Sequence, residues 1–339
     1  MKVLLTLPPI ENPIGANFVD TFDNESGQYP PIGLLYIAAY VKKYSDHQVS
    51  VLDPQAENFS HEKTLREIKI LNPDVLGIHV LTFHLLDCLR LIKNVKQALP
   101  DITIVCGGPH VHIYPEETLA QECVDFVMTG ECEQSFTDLL NHLSGILDVN
   151  KVDGLYYYSD KVHGVISKTS SPSLISDLNA LPHPERDMLK FDLYSSVLAK
   201  HSVATTVMTS RGCPFTCTYC DRPALGKNFR ARSPENVIEE LKQCVSLGIQ
   251  EFNIFDDTFT VDRKRAVAIC KQIISEGLDI RWACRSRVHL VNPEILKWMK
   301  RAGCGRISYG IETASDRIGK IIQKGANVRQ AAEAIKMTK

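Results

Sequence analysis

The chain has 339 residues, enough for about two domains, and 44% hydrophobic with 23% charged residues is an ordinary globular composition. A net charge of −2 provides no electrostatic footprint for nucleic acid or for an anionic membrane surface. Pro8 and Pro9 interrupt the short apolar run at the start, so we expect no signal peptide, no membrane span and a cytoplasmic location.

Residues 1–147 alternate short apolar runs with amphipathic stretches. Strands are predicted, in chain order, in KVLLTL, QVSVLD, DVLGIHV, ITIVCGG and VDFVMTG. Helices are predicted in GLLYIAAYVKKY, SHEKTLREIKILN, LLDCLRLIKNVKQAL, PEETLAQE and EQSFTDLLNHLSGI, the second of them capped by Ser60. Strands rich in Val and Ile that alternate with helices predict a parallel sheet covered on both faces. Five such units fit an α/β fold of the flavodoxin-like, doubly wound type.

Glycines follow two strands of this predicted sheet. Gly107 and Gly108 come after the fourth strand, and Gly130 comes after the fifth. Ligands bind such folds outside the carboxyl ends of the strands, where glycine lets the backbone approach a ligand or adopt a positive φ. A simple turn is the alternative role for each. Because no G-x-G-x-x-G follows the first strand, a dinucleotide site is not indicated.

Residues 148–200 form a connecting region. Residues 151–168 predict a β-hairpin, and residues 169–200, rich in Ser and Pro, predict a linker between two domains. A second alternation fills residues 201–339, with strands predicted in VATTVMTS, EFNIFDD, IRWACRSR and GRISYGIET. Helices are predicted in SPENVIEELKQCVSLG, DRKRAVAICKQIISEG, NPEILKWMKRAG and from about residue 327. This repetition is typical of a (β/α) barrel.

In such barrels the active site lies at the carboxyl ends of the strands. Polar groups occur there after each predicted strand: three cysteines after the first, Asp256 and Asp257 after the second, Arg285 and Arg287 after the third, and Glu312 after the fourth. Four strands cannot close a barrel, because strand number, tilt and shear must agree. We expect either an open barrel or a chain that stops before its natural end, and the missing C-cap signal in the last helix favours the second.

The eleven cysteines predict mainly reduced thiols, because an odd number in a long chain argues against a disulfide framework. Eight are scattered, mostly in apolar segments, where free cysteine behaves as a small buried hydrophobic residue. These are Cys88, Cys106, Cys123, Cys132, Cys244, Cys270, Cys284 and Cys304. Cys213, Cys217 and Cys220 differ, because they are clustered in C-x3-C-x2-C spacing and flanked by Gly212 and Pro214.

Three clustered thiolates indicate a soft metal. Thiolates select zinc, copper(I) or iron–sulfur clusters. Structural zinc takes four ligands, and its usual paired C-x2-C spacing is absent from this loop. A 4Fe–4S cluster held by three cysteines keeps one iron open. The spacing favours such a cluster over zinc and over purely structural thiols.

The sequence CPFTCTYC after the first strand of a (β/α) barrel resembles the motif of the radical S-adenosylmethionine (SAM) superfamily, with Tyr219 in the aromatic place. The resemblance implies that the open iron binds SAM and that one electron cleaves SAM to methionine and a 5′-deoxyadenosyl radical. It also implies a reductant such as flavodoxin or ferredoxin. Asp256 or Asp257 would contact the methionine amino group, Arg285 the carboxylate, and Glu312 the ribose or amino group. The alternative is a turn cap for either aspartate and a surface ion pair for Arg285. A basic run follows the cysteine loop, and we interpret it as a solvated face, with the mouth of the pocket as the alternative: Arg222, Lys227, Arg230 and Arg232.

The first half resembles the cobalamin-binding domain of one large radical SAM class. The resemblance rests on YPPIGLLYIAAYV, GGPH, VDFVMTGECEQSF and the linker LNALPHPERDML. That class usually shows G-E-G-E, and Cys132 replaces the second glycine here; the D-x-H-x-x-G motif, whose histidine ligates cobalt, is absent. The histidines near strand ends are each expected to be loop or core residues: His79, His84, His110 and His112. The resemblance implies cobalamin contacts from Thr82, Gly107, Gly108, His110, Gly130 and Glu131.

Together the resemblances imply a cobalamin-dependent radical SAM enzyme that transfers a methyl group from methylcobalamin to an unactivated carbon of a small molecule. The alternatives are a non-methylating enzyme, similar to the anaerobic cyclase of magnesium-porphyrin biosynthesis, and a non-enzymatic iron–sulfur or cobalamin sensor. A methylthiotransferase is disfavoured, because that family carries three further N-terminal cysteines and a basic RNA-binding appendage. The substrate and the oligomeric state are not indicated.

Overall fold

The computed structural model describes residues 1–14, 27–196, 198–199, 203–220 and 226–339. These residues form two compact units. Unit 1 contains Met1–Ile175 and Leu181–Leu193, and unit 2 contains Ser176–Ala180 and Tyr194–Lys339. The predicted hairpin region therefore belongs to unit 1, while the predicted linker is shared between the units. No helix within the described ranges is both long and apolar enough to cross a membrane.

The strands of the described residues are β1 (Lys2–Thr6), β2 (Gly27–Gln28), β3 (Gln48–Leu52), β4 (Val75–His79), β5 (Thr103–Gly107), β6 (Phe126–Met128), β7 (Leu155–Asp160), β8 (Val165–Lys168), β9 (Ser195–Ser196), β10 (Ala204–Val207), β11 (Ser210–Arg211), β12 (Arg230–Ala231), β13 (Glu251–Ile254), β14 (Arg281–Ser286) and β15 (Cys304–Tyr309). The helices are α1 (Ile32–Tyr44), α2 (His61–Leu71), α3 (Leu85–Ala98), α4 (Pro109–Ile113), α5 (Pro115–Leu119), α6 (Glu133–Leu143), α7 (Pro234–Ser246), α8 (Arg263–Ser275), α9 (Pro293–Arg301), α10 (Asp316–Ile321) and α11 (Val328–Thr338).

The main sheet of unit 1 has the order β3-β1-β4-β5-β6-β7-β8 in the described part of the chain. The strands from β3 to β6 run parallel, and β7 and β8 are added antiparallel at the β6 edge. The parallel part has the order of a flavodoxin-like sheet, which confirms the predicted fold class. The hairpin is thus an extension of this sheet rather than a separate element.

Alternating side chains of β1 explain why both faces of this sheet are covered. Val3 and Leu5 belong to one hydrophobic cluster, with Leu35 of α1 and Phe136 of α6. Leu4, on the opposite face, belongs to a second cluster with side chains of α2 and α3. Because successive side chains of a strand point to opposite faces, an uninterrupted apolar run buries both.

Unit 2 contains a parallel sheet with the order β10-β13-β14-β15 among its described residues. Strand and helix alternate along the chain, as predicted for a (β/α) barrel segment. The Ser233 side chain accepts a hydrogen bond from the Asn236 N–H, and Pro234 follows in the first helical position of α7, as predicted. Two short helices, α4 and α10, were not predicted, because five or six residues carry too little periodicity.

Candidate cofactor sites

The cysteine loop begins and ends on a two-stranded antiparallel ribbon. Strand β11 leads into the loop and pairs with β12, where the chain returns, so that Arg211 lies opposite Arg230. Gly212 has a φ of +83°, a backbone conformation that favours glycine, and it turns the chain toward Cys213. The N–H of Thr218 donates to the Ile322 carbonyl at 3.1 Å, which attaches the loop to the end of α10.

The structure places the three loop thiols in different environments. Cys217 is buried, Cys213 is half-buried, and Cys220 is exposed. In the described ranges, no group of three His, Cys, Asp or Glu side chains is arranged to bind a single metal ion. Two of the scattered cysteines, Cys106 and Cys132, are protonated thiols, because burial raises the pKa of each to about 12.

Arg287 is a charged group that contacts this loop. Its Nη1 donates to the Sγ of Cys217 at 3.5 Å, and its guanidinium carbon lies 3.9 Å from the centre of the Phe215 ring. The side chain is only 6% exposed. Its Nε and Nη2 are buried without a hydrogen-bond partner among the described residues. A buried cation with two unused donors fits a negatively charged group bound at the Cys217 sulfur.

Tyr219, between the second and third cysteines, joins a polar triad. The Nζ of Lys324 donates to the Tyr219 hydroxyl at 2.9 Å and to Oε1 of Glu312 at 3.0 Å. The hydrogen bond from Lys324 lowers the pKa of Glu312. Burial alone would lower the pKa of Lys324, but its two hydrogen bonds raise it overall. A charged Lys324 thus holds two predicted SAM-contact residues together.

Backbone geometry allows this triad to form at the end of β15. Glu312 has a φ of +68°, which is uncommon for a residue with a side chain. A Cβ atom on Gly310 would lie 2.6 Å from Oε1 of Glu312 and 2.9 Å from Nζ of Lys324. A larger residue at position 310 would therefore displace the ends of the Glu312 and Lys324 side chains from this ion pair.

The two adjacent aspartates have different environments. Asp256 is fully buried, and its carboxylate accepts four hydrogen bonds, from the N–H and the hydroxyl of both Thr209 and Ser210. The donor–acceptor distances lie between 2.5 and 3.0 Å. Asp257 is exposed. Since Asp256 fixes the start of β11, Asp257 is the better candidate for a contact with the SAM amino group.

The basic side chains predicted near the unit 2 site differ in their exposure to solvent. Arg285 lies over the Phe255 ring, with 4.3 Å between the guanidinium carbon and the ring centre. Lys227 is exposed, as expected for a solvated face. Arg232 is not: it is 3% exposed, pairs with the carboxylate of Glu240, and donates to the Met208 carbonyl at 3.0 Å. The prediction was wrong for Arg232, because a charge run does not reveal a buried partner eight residues away. Arg222 lies outside the described residues.

Thr82 and His110 of unit 1 meet at the carboxyl edge of the sheet. The Thr82 hydroxyl lies 3.1 Å from Nδ1 of His110. Thr82 opens a short turn after β4, and His110 lies on α4 after β5. Burial lowers the pKa of His110, which favours its neutral form. Gly107 precedes them at the end of β5, where an added Cβ would meet only the Met128 carbonyl oxygen, at 3.8 Å. Two predicted cobalamin contacts are therefore adjacent, beside an open stretch of backbone.

The remaining predicted cobalamin residues make close contacts within unit 1. Gly108 has a φ of +109°, and an added Cβ would lie 2.8 Å from a ring carbon of His79. Gly130 has a φ of +83°, and a Cβ there would lie 2.4 Å from Cβ of Pro172. Glu131 is buried and accepts a hydrogen bond from the Ile175 N–H at 2.8 Å. Both glycines are thus required by neighbouring protein atoms, whatever they contact besides.

Apolar side chains are exposed at the same edge of unit 1. Ile10 and Phe83 are 48% exposed and Leu86 is 53% exposed, in the segments that follow β1 and β4. The N–H of Ile14 donates to the Phe83 carbonyl at 2.7 Å, which joins these segments. An exposed apolar area beside polar groups is typical of a ligand site, and it fits a large, flat macrocycle.

Comparison with known proteins identifies the family. A family model described as a B12 binding domain matches residues 21–140, and one described as the radical SAM superfamily matches residues 207–339. The chain is 38% identical over 342 residues to the uncharacterized methyltransferase PH0819 of Pyrococcus horikoshii, covering all of this chain and 71% of the relative. The chain belongs to the radical SAM superfamily, in the class with a B12-binding domain.

Other relatives of this radical SAM protein include enzymes of a different reaction. The chain is 27% identical to the anaerobic magnesium-protoporphyrin IX monomethyl ester cyclase of Rubrivivax gelatinosus, over 93% of this chain and 57% of the enzyme. The structure of the cobalamin-dependent SAM radical enzyme OxsB with aqua-cobalamin and SAM superposes with a TM-score of 0.81 at 20% identity. That match covers 99% of this chain and 47% of OxsB, so the chain spans about half the length of some proteins it matches.

Sequence reasoning missed three functional candidates in this radical SAM protein: Lys324, Phe215 and the contact of Arg287 with Cys217. Arg285 and Arg287 are two residues apart at a strand end, and this spacing could have indicated that both side chains lie on the same face of the sheet. No local signal identified Lys324, which lies 105 residues from Tyr219.

Proposed function

We propose that the chain carries the cofactor-binding units of a cobalamin-dependent radical SAM methyltransferase. The observation that carries this proposal is the loop Cys213–Cys220 at the carboxyl end of β10, with the cationic Arg287 against Cys217. When bound, a 4Fe–4S cluster supplies the electron that cleaves SAM, and cobalamin carries the methyl group to an unactivated carbon. The Pyrococcus relative, more similar than the cyclase, favours methyl transfer.

The chain's own residues would bind and orient these groups. Cys213, Cys217 and Cys220 supply three thiolates, and Tyr219 and Glu312, fixed by Lys324, bind SAM together with Asp257 and Arg285. In unit 1, Thr82, Gly107 and His110 line the cobalamin site, whose apolar rim includes Phe83. Four residues would support the two sites through contacts with neighbouring protein atoms: Gly108, Gly130 and Glu131 at the cobalamin site, and Asp256 at the SAM site. Cys220 is exposed, so that a flavodoxin or ferredoxin of the cytoplasm can deliver the electron. The substrate in this proposal is a small molecule.

Anaerobic reconstitution tests the proposal. The protein is incubated with iron, sulfide and hydroxocobalamin, desalted, and assayed for bound metals and for cleavage of SAM. We expect about four irons and about one cobalt per chain, with reductant-dependent 5′-deoxyadenosine. The variant Cys217→Ser should lose the cluster, whereas Cys123→Ser, which changes a half-buried cysteine of unit 1, should keep it.

The same assay distinguishes the alternatives. Methyl transfer to cobalt also produces S-adenosylhomocysteine, whereas a cyclase produces 5′-deoxyadenosine alone. A sensor would retain the cluster and leave SAM intact. Four irons without cobalt would exclude the methylcobalamin route and leave unit 1 as a platform for a substrate or partner.

A further inference from the structure

The buried guanidinium of Arg287 is only partly compensated by neighbouring charge: among the described residues, its charge contributes to the lowered pKa of the Glu312 carboxyl group. Within the described ranges, it takes part in no ion pair, and two of its three nitrogens have no hydrogen-bond partner. The third donates to the Cys217 sulfur. Buried charges are normally paired, because an unpaired charge loses its hydration without compensation. The contact with a sulfur therefore identifies the anion for which this cation is placed.

The surroundings of Arg287 hold it in one position. The guanidinium carbon lies 3.9 Å from the centre of the Phe215 ring, and Phe215 lies in the cysteine loop itself. Gly325 approaches from another side, since a Cβ atom there would lie 3.6 Å from Nη2. Lys324 is engaged with Tyr219 and Glu312. Arg287 is thus the cation dedicated to the Cys217 sulfur.

We propose that Arg287 sets the reduction potential of the cluster bound by Cys217, an inference that rests on the proposed function. One-electron reduction adds a negative charge to a thiolate-ligated cluster, and the electron comes from the external reductant. A fixed positive charge and an N–H group at a ligand sulfur stabilise the reduced form more than the oxidised form. Arg287 therefore acts as a positioning residue that makes the cluster easier to reduce.

The test is a redox titration of the reconstituted protein, followed by electron paramagnetic resonance. In Arg287→Gln, loaded to the same iron content as the wild type, we expect the equilibrium constant for reduction to fall at least tenfold, about 59 mV for a one-electron couple. Arg287→Lys keeps the charge but cannot stack or donate in the same geometry, so its potential should lie between the two. Equal potentials in wild type and Arg287→Gln would overturn the inference.

Two controls make the result specific. Arg329→Gln removes an exposed arginine from α11 that pairs with Glu333, and it should titrate as the wild type does. If Arg287→Gln fails to retain iron, Arg287→Lys decides: a potential more negative than that of the wild type supports the inference, and a potential equal to that of the wild type overturns it. A wild type without a cluster would overturn the proposed function and this inference together, whereas unchanged potentials would overturn this inference alone.

Discussion

Removing the Asp256 carboxylate should destabilise unit 2 without direct loss of a SAM contact. Its four hydrogen bonds come from two backbone N–H groups and two hydroxyls, all at the residues that lead into the cysteine loop. In Asp256→Ala the hydroxyls can rotate, but the N–H groups of Thr209 and Ser210 cannot. At about 1–3 kcal/mol for each of these two buried, unsatisfied N–H groups, the loss of stability should be about 2–6 kcal/mol.

Asp256→Asn should cost much less, about 1–2 kcal/mol. The amide oxygen still accepts from both N–H groups, and the amide NH2 can donate to the two hydroxyls once these turn to act as acceptors. What is lost is the charge that strengthens all four bonds and the attraction to the buried Arg265. The two variants therefore separate the charge of Asp256 from its role as an acceptor.

Urea denaturation monitored by tryptophan fluorescence measures these losses directly. The chain has two tryptophans, Trp282 and Trp298, and both lie in unit 2. Asp257→Ala is the matched control: it should change stability by less than about 0.5 kcal/mol, because the side chain is exposed, but it should weaken SAM binding. A loss below about 1 kcal/mol for Asp256→Ala, or an equal loss for Asp257→Ala, would contradict the assignment.

Two further predictions concern the side chains of Lys324 and His79. Lys324→Met removes the shared hydrogen-bond partner of Tyr219 and Glu312, so the KM for SAM in 5′-deoxyadenosine formation should rise about tenfold. Lys320→Met changes an exposed lysine and should leave this KM unchanged. Equal KM values for Lys324→Met and the wild type would refute the role of the triad. Burial and the nearby His84 lower the pKa of His79 to about 4. Folded His79 therefore stays neutral while the unfolded chain takes up a proton below pH 6.5, so His79 should contribute about 2 kcal/mol to the fall in the free energy of unfolding between pH 7.5 and 5. Urea titrations followed by circular dichroism should show a smaller fall in His79→Leu; an unchanged fall would disprove this.

The order of the parallel strands in unit 1 could be predicted from sequence, because it follows from local patterns. Buried strands that alternate with capped helices allow few arrangements, and the side chain of Ser60 caps α2 as predicted. The antiparallel addition of β7 and β8 could not be predicted, since a hairpin pattern does not specify which strand edge it joins.

The candidate site was predictable only in part. The C-x3-C-x2-C spacing identifies the loop, because one short segment supplies all three thiols. Asp256 and Asp257 are equivalent in sequence, and only their burial separates the residue that holds the backbone from the residue open to a ligand. The Tyr219–Lys324 contact joins positions 105 residues apart, and no local pattern encodes such a contact.

The two units exchange short stretches of chain, so no single cut in the sequence separates one complete unit from the other. Unit 1 needs Leu181–Leu193, in which Met188 and Leu189 pack on its hydrophobic cluster. Unit 2 needs Ser176–Ala180, in which the Asn179 side chain accepts a hydrogen bond from the Ser233 N–H at 2.7 Å. A gene divided once, anywhere in this region, therefore leaves at least one half with part of its own core or cap on the other polypeptide. Recombination that swaps either half as a single cassette would break the same contacts.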